Sequence, residues 1–153
     1  MTGFKRELSL DLPSVHRAVR IGRRVVQSFA RTDGLEDDEI ERLMLVTSEL
    51  LANAVDHGGG GAAMSEEDLA SDVRMRLRLV FEETCWTLEI EDTGGGGDDE
   101  VEAATLLANA APTDLEDERG RGLFLVRGLV DTFAVRRGAE GLIFTAIKLF
   151  SKA

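Results

Sequence analysis

Hydrophobic and polar positions alternate from the start of the chain. Phe4, Leu8, Leu10 and Leu12 share one parity and Lys5, Glu7, Ser9 and Asp11 the other, with Arg6 the exception. A period of two predicts a half-buried strand. Asp11-Leu12-Pro13-Ser14 punctuates that pattern with residues that can start a helix. From Val15 the apolar positions Ala18, Val19, Val26 and Phe29 recur at helical spacing, and Thr32-Asp33-Gly34 reads as a turn. A second helical segment opens with Glu36, Asp37, Asp38 and Glu39, acids that suit the positive end of a helix dipole. Its apolar stripe is Leu43, Val46, Leu50 and Ala54, and it stops at Gly58.

Residues 58–72 are glycine-rich, then acidic, and read as an exposed loop. Two cleaner strands follow. Val73, Met75, Leu77, Leu79 and Phe81 alternate with Arg74, Arg76 and Arg78; Trp86, Leu88 and Ile90 alternate with Cys85, Thr87, Glu89 and Glu91. With Glu82-Glu83 as the link they predict an antiparallel hairpin, Trp86 in the core, Cys85 outward, and arginines meeting glutamates on the wet face. Residues 92–121 are least regular, with a glycine run, an Ala/Leu-rich helical stretch near 101–111 and an acidic loop. Leu123, Val126, Val130 and Phe133 mark another amphipathic helix, and Ala139-Glu140-Gly141 a turn before a last strand over 142–150. The order is strand, helix, helix, strand, strand, irregular segment, helix, strand, strand. It predicts a two-layer α/β sandwich whose mostly antiparallel mixed sheet is covered on one face by helices. No repeat or linker divides the 153 residues, which read as a single domain, 1–153.

Composition narrows the ligand. The net charge of -11 repels nucleic acid and anionic membranes, so a phosphate ligand needs a local positive device: backbone N–H groups, a magnesium ion or a few arginines. Cys85 is the one cysteine, which excludes an intramolecular disulfide and a CxxC metal knuckle. The polar N-terminus and the lack of a long apolar segment give the cytoplasm as the expected compartment.

Three groups of residues carry candidate chemistry. Glu49, Asn53 and His57 stand at i, i+4 and i+8 on one helical face, beside the apolar stripe. An amide oxygen beside a carboxylate suits magnesium, which takes hard oxygen ligands; the same residues also suit a solvated helix border. Asp92 continues the inward parity of Trp86, Leu88 and Ile90, so its carboxylate is expected on the covered face, where a ligand N–H such as an adenine amino group would satisfy it. The glycines from Gly94 to Gly97 let the backbone approach a ligand, or form a plain flexible linker. Arg119-Gly120-Arg121-Gly122-Leu123 stands directly before the third helix, where free N–H groups and the helix dipole suit phosphates; an ordinary arginine loop is the bland alternative.

Taken in order, the three groups resemble the motif set of the GHKL ATPases. Glu49-Leu50-Leu51-Ala52-Asn53-Ala54-Val55-Asp56-His57-Gly58 resembles the N box, Asp92-Thr93-Gly94-Gly95-Gly96 the DxGxG box, and Gly120-Arg121-Gly122-Leu123 the GxGL box. Thr145 looks like the family's late threonine, and its parity with Ile143, Ile147 and Leu149 is expected to aim it inward. The likeness spans nearly the whole chain. The compact size and the ExxxNAxxHG form are similar to the anti-sigma factor serine kinases. His16, on an early helix, reads as an isolated surface residue.

The resemblance implies an ATP site between helices and sheet. Asp92 would accept from the adenine amino group, directly and through water with Thr145, and Gly94 and Gly96 would line the base. Asn53 would hold Mg2+ against the phosphates. Arg119, Gly120, Arg121, Gly122 and the helix beginning at Leu123 would meet the phosphate oxygens. Glu49 would be the general base for an incoming serine hydroxyl, His57 would orient Glu49 or cap its helix, and 98–118 would form a lid. The implied partners are a small anti-anti-sigma protein of the STAS type, a sigma factor and a second copy of the chain, with no direct nucleic-acid contact. Two functions stay open: a serine kinase that sequesters a sigma factor, favoured by Glu49, and an ATP-binding regulator that transfers no phosphate, favoured by the acidic lid.

Overall fold

A computed structural model describes residues 5–57, 73–93 and 118–150. Phe4, Gly58, the loop 58–72, Gly94, Gly96, the helical stretch 101–111 and nearly all of the lid lie outside the described residues. The elements are β1 (Lys5–Pro13), α1 (His16–Thr32), α2 (Asp37–His57), β2 (Arg74–Glu82), β3 (Cys85–Asp92), α3 (Glu118–Leu129), β4 (Thr132–Arg137) and β5 (Leu142–Leu149). The strands form one sheet in the order β1-β2-β3-β5-β4, and every pairing among them is antiparallel. This is the expected α/β sandwich, with no parallel pair among the described strands.

Period two decides which face of the sheet is covered. Leu77 is opposite Ile90, and Ile90 opposite Phe144; Leu79 is opposite Leu88, and Leu88 opposite Ala146. All six are buried. Val26 and Ala30 of α1, Leu43, Val46, Leu50 and Ala54 of α2, and Leu123 and Val126 of α3 complete this core. The rings of Phe29 and Phe81 stack at 5.3 Å, joining α1 to β2. Trp86 is fully buried, as its parity required, and its indole N–H donates to Glu39 Oε1 at 2.9 Å, fastening β3 to the first turn of α2.

The opposite face carries charge. Arg78 donates to Glu7 at 2.6 Å, Arg74 to Asp11 at 2.8 Å and Arg76 to Glu140 at 2.6 Å, whereas Arg76 to Glu91 is 3.8 Å. The arginines of β2 therefore find their nearest acids on β1 and on the β4–β5 turn, and the expected β3 glutamates stand farther off. The Arg78 guanidinium holds the Glu7 carboxyl below the usual carboxylate range.

Two boundaries differ from the periodicity. Glu82 belongs to β2, so Glu83-Thr84 is the link. The third helix ends at Leu129, and Phe133 belongs to β4, where its ring stacks on Phe144 at 6.3 Å. The cause is local. The Asp131 carboxylate accepts from the Leu149 N–H at 2.7 Å and from Lys148 at 3.3 Å, which ties the chain to the end of β5 and draws 132–137 into the sheet. Among the described residues no helix is long and apolar enough to cross a membrane.

Two outcomes follow. Trp86→Phe removes the bond to Glu39 and part of a buried ring, and should lower unfolding free energy by about 1–3 kcal/mol in urea titrations followed by circular dichroism; an unchanged midpoint would contradict the packing described. The Leu149 N–H first, then Lys148, holds the Asp131 carboxyl below its ordinary 3.8. A depressed folded-state value means that this stabilisation is present above pH 3.8 and is lost as pH falls through the lower folded value. Asp131→Asn should therefore flatten the stability profile in that acid window and nowhere else.

Candidate functional site

The last two turns of α2 border the core. Leu50, Leu51, Ala54 and Val55 are buried, and Glu49 and Asn53 lie one turn apart at the edge of that apolar face. Thr47 and Ser48 donate to the Leu43 and Met44 carbonyls of their own helix, so those hydroxyl protons are engaged. Asn53 differs. It is 7% exposed, and its Oδ1 is buried with no hydrogen-bond partner among the described residues. Leaving a buried acceptor unpaired costs about 1–3 kcal/mol. An oxygen in that condition fits a hard cation or a ligand's donor.

The donor set also bears on magnesium. Among the described residues no group of three or more His, Cys, Asp or Glu could hold a metal ion. Magnesium does not need such a cage, because it keeps waters and shares phosphate oxygens with its substrate. Asn53 Oδ1 fits that single-ligand role.

Helix α3 packs beside α2, and the contact runs through Gly122. A Cβ there would stand 2.5 Å from Glu49 Oε2 and 3.5 Å from its Cδ, so the half-buried Glu49 carboxylate occupies the space a side chain would fill. The glycine leaves room for this approach, and its backbone angle is not unusual. The N-box and GxGL residues, 73 positions apart, thus touch.

The start of α3 revises one expectation. The helix begins at Glu118, five residues before Leu123, and Arg119-Gly120-Arg121-Gly122 forms its first turn and a half. The four N–H groups without an acceptor in the helix are then those of Glu118 to Arg121, and Gly122 is the first whose N–H can bond within it. These N–H groups are the ones a bound anion could meet, while Gly122 makes room for Glu49. Leu123 is 1% exposed and belongs to the core. The Arg119 and Arg121 side chains and that of His57 lie outside the described residues.

Asp92 ends β3 on the covered face, 4% exposed and opposite Met75, as its parity predicted. Thr93 closes the ladder behind it: its N–H donates to the Arg74 carbonyl at 3.0 Å and its hydroxyl accepts from the Arg74 N–H at 2.8 Å. Thr145 is a correction. Leu142, Phe144 and Ala146 are the buried residues of β5, so Thr145 shares the outer face with Ile143 and Ile147, between Glu89 and Ala134. Asp92 and Thr145 project from opposite sides of the sheet. The outer face of β5 is rich in branched side chains, and these concealed which parity was inward.

Two contacts escaped the sequence. His16 Nε2 stands 2.8 Å from Asp56 Oδ1, joining the start of α1 to the last turn of α2, one turn past Asn53. Gly141, read only as part of a turn, is buried against Asp92: a Cβ there would lie 2.6 Å from Asp92 Oδ1 and would also meet its backbone. No local pattern links residues 40 or more positions apart, so neither contact could be read from spacing.

Comparisons with known proteins agree with this fold. The family model described as the histidine kinase-like ATPase domain matches residues 12–148. The serine-protein kinase RsbW of Listeria monocytogenes is 29% identical in a serovar 1/2a strain and 27% in a serotype 4a strain. Each match runs over 133 residues, 86% of this chain and 80% of the relative. A chain in the crystal structure of the SiaB–SiaC complex from Pseudomonas aeruginosa superposes with a TM-score of 0.64. It covers 94% of this chain and 88% of that one at 13% identity, a likeness of fold alone. With a family match across nearly the whole chain, this protein belongs to the histidine kinase-like ATPase family.

Proposed function

We propose that this chain is an ATP-dependent serine protein kinase of the anti-sigma type, acting on a small anti-anti-sigma protein and holding a sigma factor in its other state. The observation that carries the reading is the buried Asn53 Oδ1, which has no hydrogen-bond partner among the described residues and lies one helical turn from a Glu49 carboxylate that rests on Gly122. A binder of apolar ligands has no use for that oxygen. A site for magnesium and phosphates does. The similarity to RsbW, named a serine-protein kinase, supports the choice of reaction. Pairing of two copies is part of the reading and rests on resemblance.

In this reading Asp92 accepts from the adenine amino group. Asn53 would hold Mg2+, which would supply charge neutralisation at the phosphates when bound. The first N–H groups of α3, from Arg119 to Arg121, meet the phosphates, where the helix dipole favours negative charge. Glu49 takes the proton of the partner's serine hydroxyl as that oxygen attacks the terminal phosphorus, whose bond to the bridging oxygen breaks to release ADP. Thr145 has no part in adenine binding.

Three variants separate these roles in calorimetric titrations and single-turnover transfer assays with the purified partner. Asn53→Ala should lose magnesium-dependent ATP binding with an unchanged circular dichroism spectrum. Asp92→Asn should weaken ATP binding about 10- to 100-fold, the scale of a bond to a charged group. Glu49→Gln keeps the contact with Gly122 and should leave ATP affinity within about twofold while transfer falls about 10²- to 10⁴-fold. Equal Mg-ATP affinity in Asn53→Ala and wild type would remove the central assignment. Binding without transfer in wild type would favour a non-catalytic ATP-dependent regulator.

A further inference from the structure

We infer that Gly141 is a positioning residue for base recognition, and that the β4–β5 turn carrying it is held from the outer face of the sheet by the Arg76–Glu140 ion pair. The inference rests on the proposed role of Asp92 and adds what sets that carboxylate in place. Three observations meet at this turn. Gly141 is buried, and a Cβ would lie 2.6 Å from Asp92 Oδ1 while also striking the Asp92 backbone. Its backbone dihedral is ordinary, so glycine stands here for space alone. The obstacle is main chain as well as side chain, so rotating the aspartate would not relieve it. Asp92 lies one residue past the last β3–β5 register pair, Glu91 with Ile143, and Gly141 of the turn packs against it there.

The turn itself is fastened. The Gly138 N–H donates to the Gly141 carbonyl at 2.6 Å, closing it. Glu140 reaches across the sheet edge to Arg76 at 2.6 Å, and the same guanidinium stands 3.8 Å from Glu91 and 3.9 Å from Asp11. Arg76 is on the outer face and Asp92 on the covered face, so the ion pair holds from one side the backbone against which the carboxylate rests on the other.

Adenine and hypoxanthine distinguish this role from general stability. Adenine presents an amino donor where hypoxanthine presents a carbonyl oxygen, and a fixed carboxylate rewards the first and repels the second. The phosphates are common to both. The test is the ratio of ATP to inosine triphosphate affinity, measured by calorimetry with magnesium for wild type, Gly141→Ala, Asp92→Asn, the double variant and Glu140→Gln. Gly141→Ala should weaken ATP about 10- to 100-fold and inosine triphosphate by no more than about twofold, collapsing the ratio. In the Asp92→Asn background it should change the ratio no further, since coupled residues are not additive. Glu140→Gln, at an exposed position, should lower the ratio about two- to fivefold, the scale of one surface ion pair. Where Gly141→Ala does not fold, Glu140→Gln decides alone: a lowered ratio supports the inference and an unchanged one overturns it. Equal weakening of both nucleotides in Gly141→Ala would make the glycine structural only and overturn it too. A wild-type ratio near one, or one that Asp92→Asn leaves unchanged, would instead remove the Asp92 assignment beneath it.

Discussion

The seating of α2 on the sheet is the constraint on which the rest depends. Its apolar stripe must be buried, and the helix is fixed at both ends: Glu39 accepts from the Trp86 indole at its start, and Asp56 meets His16 at its close. With the stripe in place, 3.6-residue geometry leaves Glu49 and Asn53 no freedom to turn toward solvent. Asn53 Oδ1 ends buried without a partner among the described residues, and the Glu49 carboxylate fills the gap over Gly122. Candidate chemistry here follows from core packing, because the same rotation that buries Leu50 and Ala54 delivers the polar pair to the seam.

The two faces of the sheet then divide the labour. The covered face packs the helices and ends at Asp92. The outer face is laced by Arg74, Arg76 and Arg78 with acids of β1 and of the β4–β5 turn. Exposed pairs of this kind add little stability each. Their use here is geometric, since Arg76 through Glu140 steadies the turn against which Asp92 rests. In a chain of net charge -11, the donors proposed for phosphate are main-chain N–H groups at the start of α3, which add no side-chain bulk.

Much of this was legible in the sequence, for physical reasons. Strands β2 and β3 have one wet and one dry face, so period two gave both their existence and the inward aim of Trp86 and Asp92. Helix α2 has one apolar stripe, which placed Asn53 at its border. The failures share a cause. On β5 both faces carry large apolar residues, Ile143 and Ile147 outside and Leu142 and Phe144 inside, so parity could not assign Thr145. At the end of α3 the apolar positions Val130 and Phe133 fit a helical period, while the break comes from Asp131 bonding to Leu149, a contact 18 residues away. Gly141 beside Asp92 and Gly122 beside Glu49 are close approaches between elements far apart in the chain, and a glycine alone does not say what lies against it.

The most direct measurement is a crystal structure of the protein with magnesium and a non-hydrolysable ATP analogue. The account predicts the cation about 2.1 Å from Asn53 Oδ1 and the adenine amino group within hydrogen-bonding distance of Asp92, with phosphate oxygens on the first N–H groups of α3. A nucleotide seated elsewhere, or bound here with Asn53 Oδ1 touching neither metal nor ligand, would contradict it.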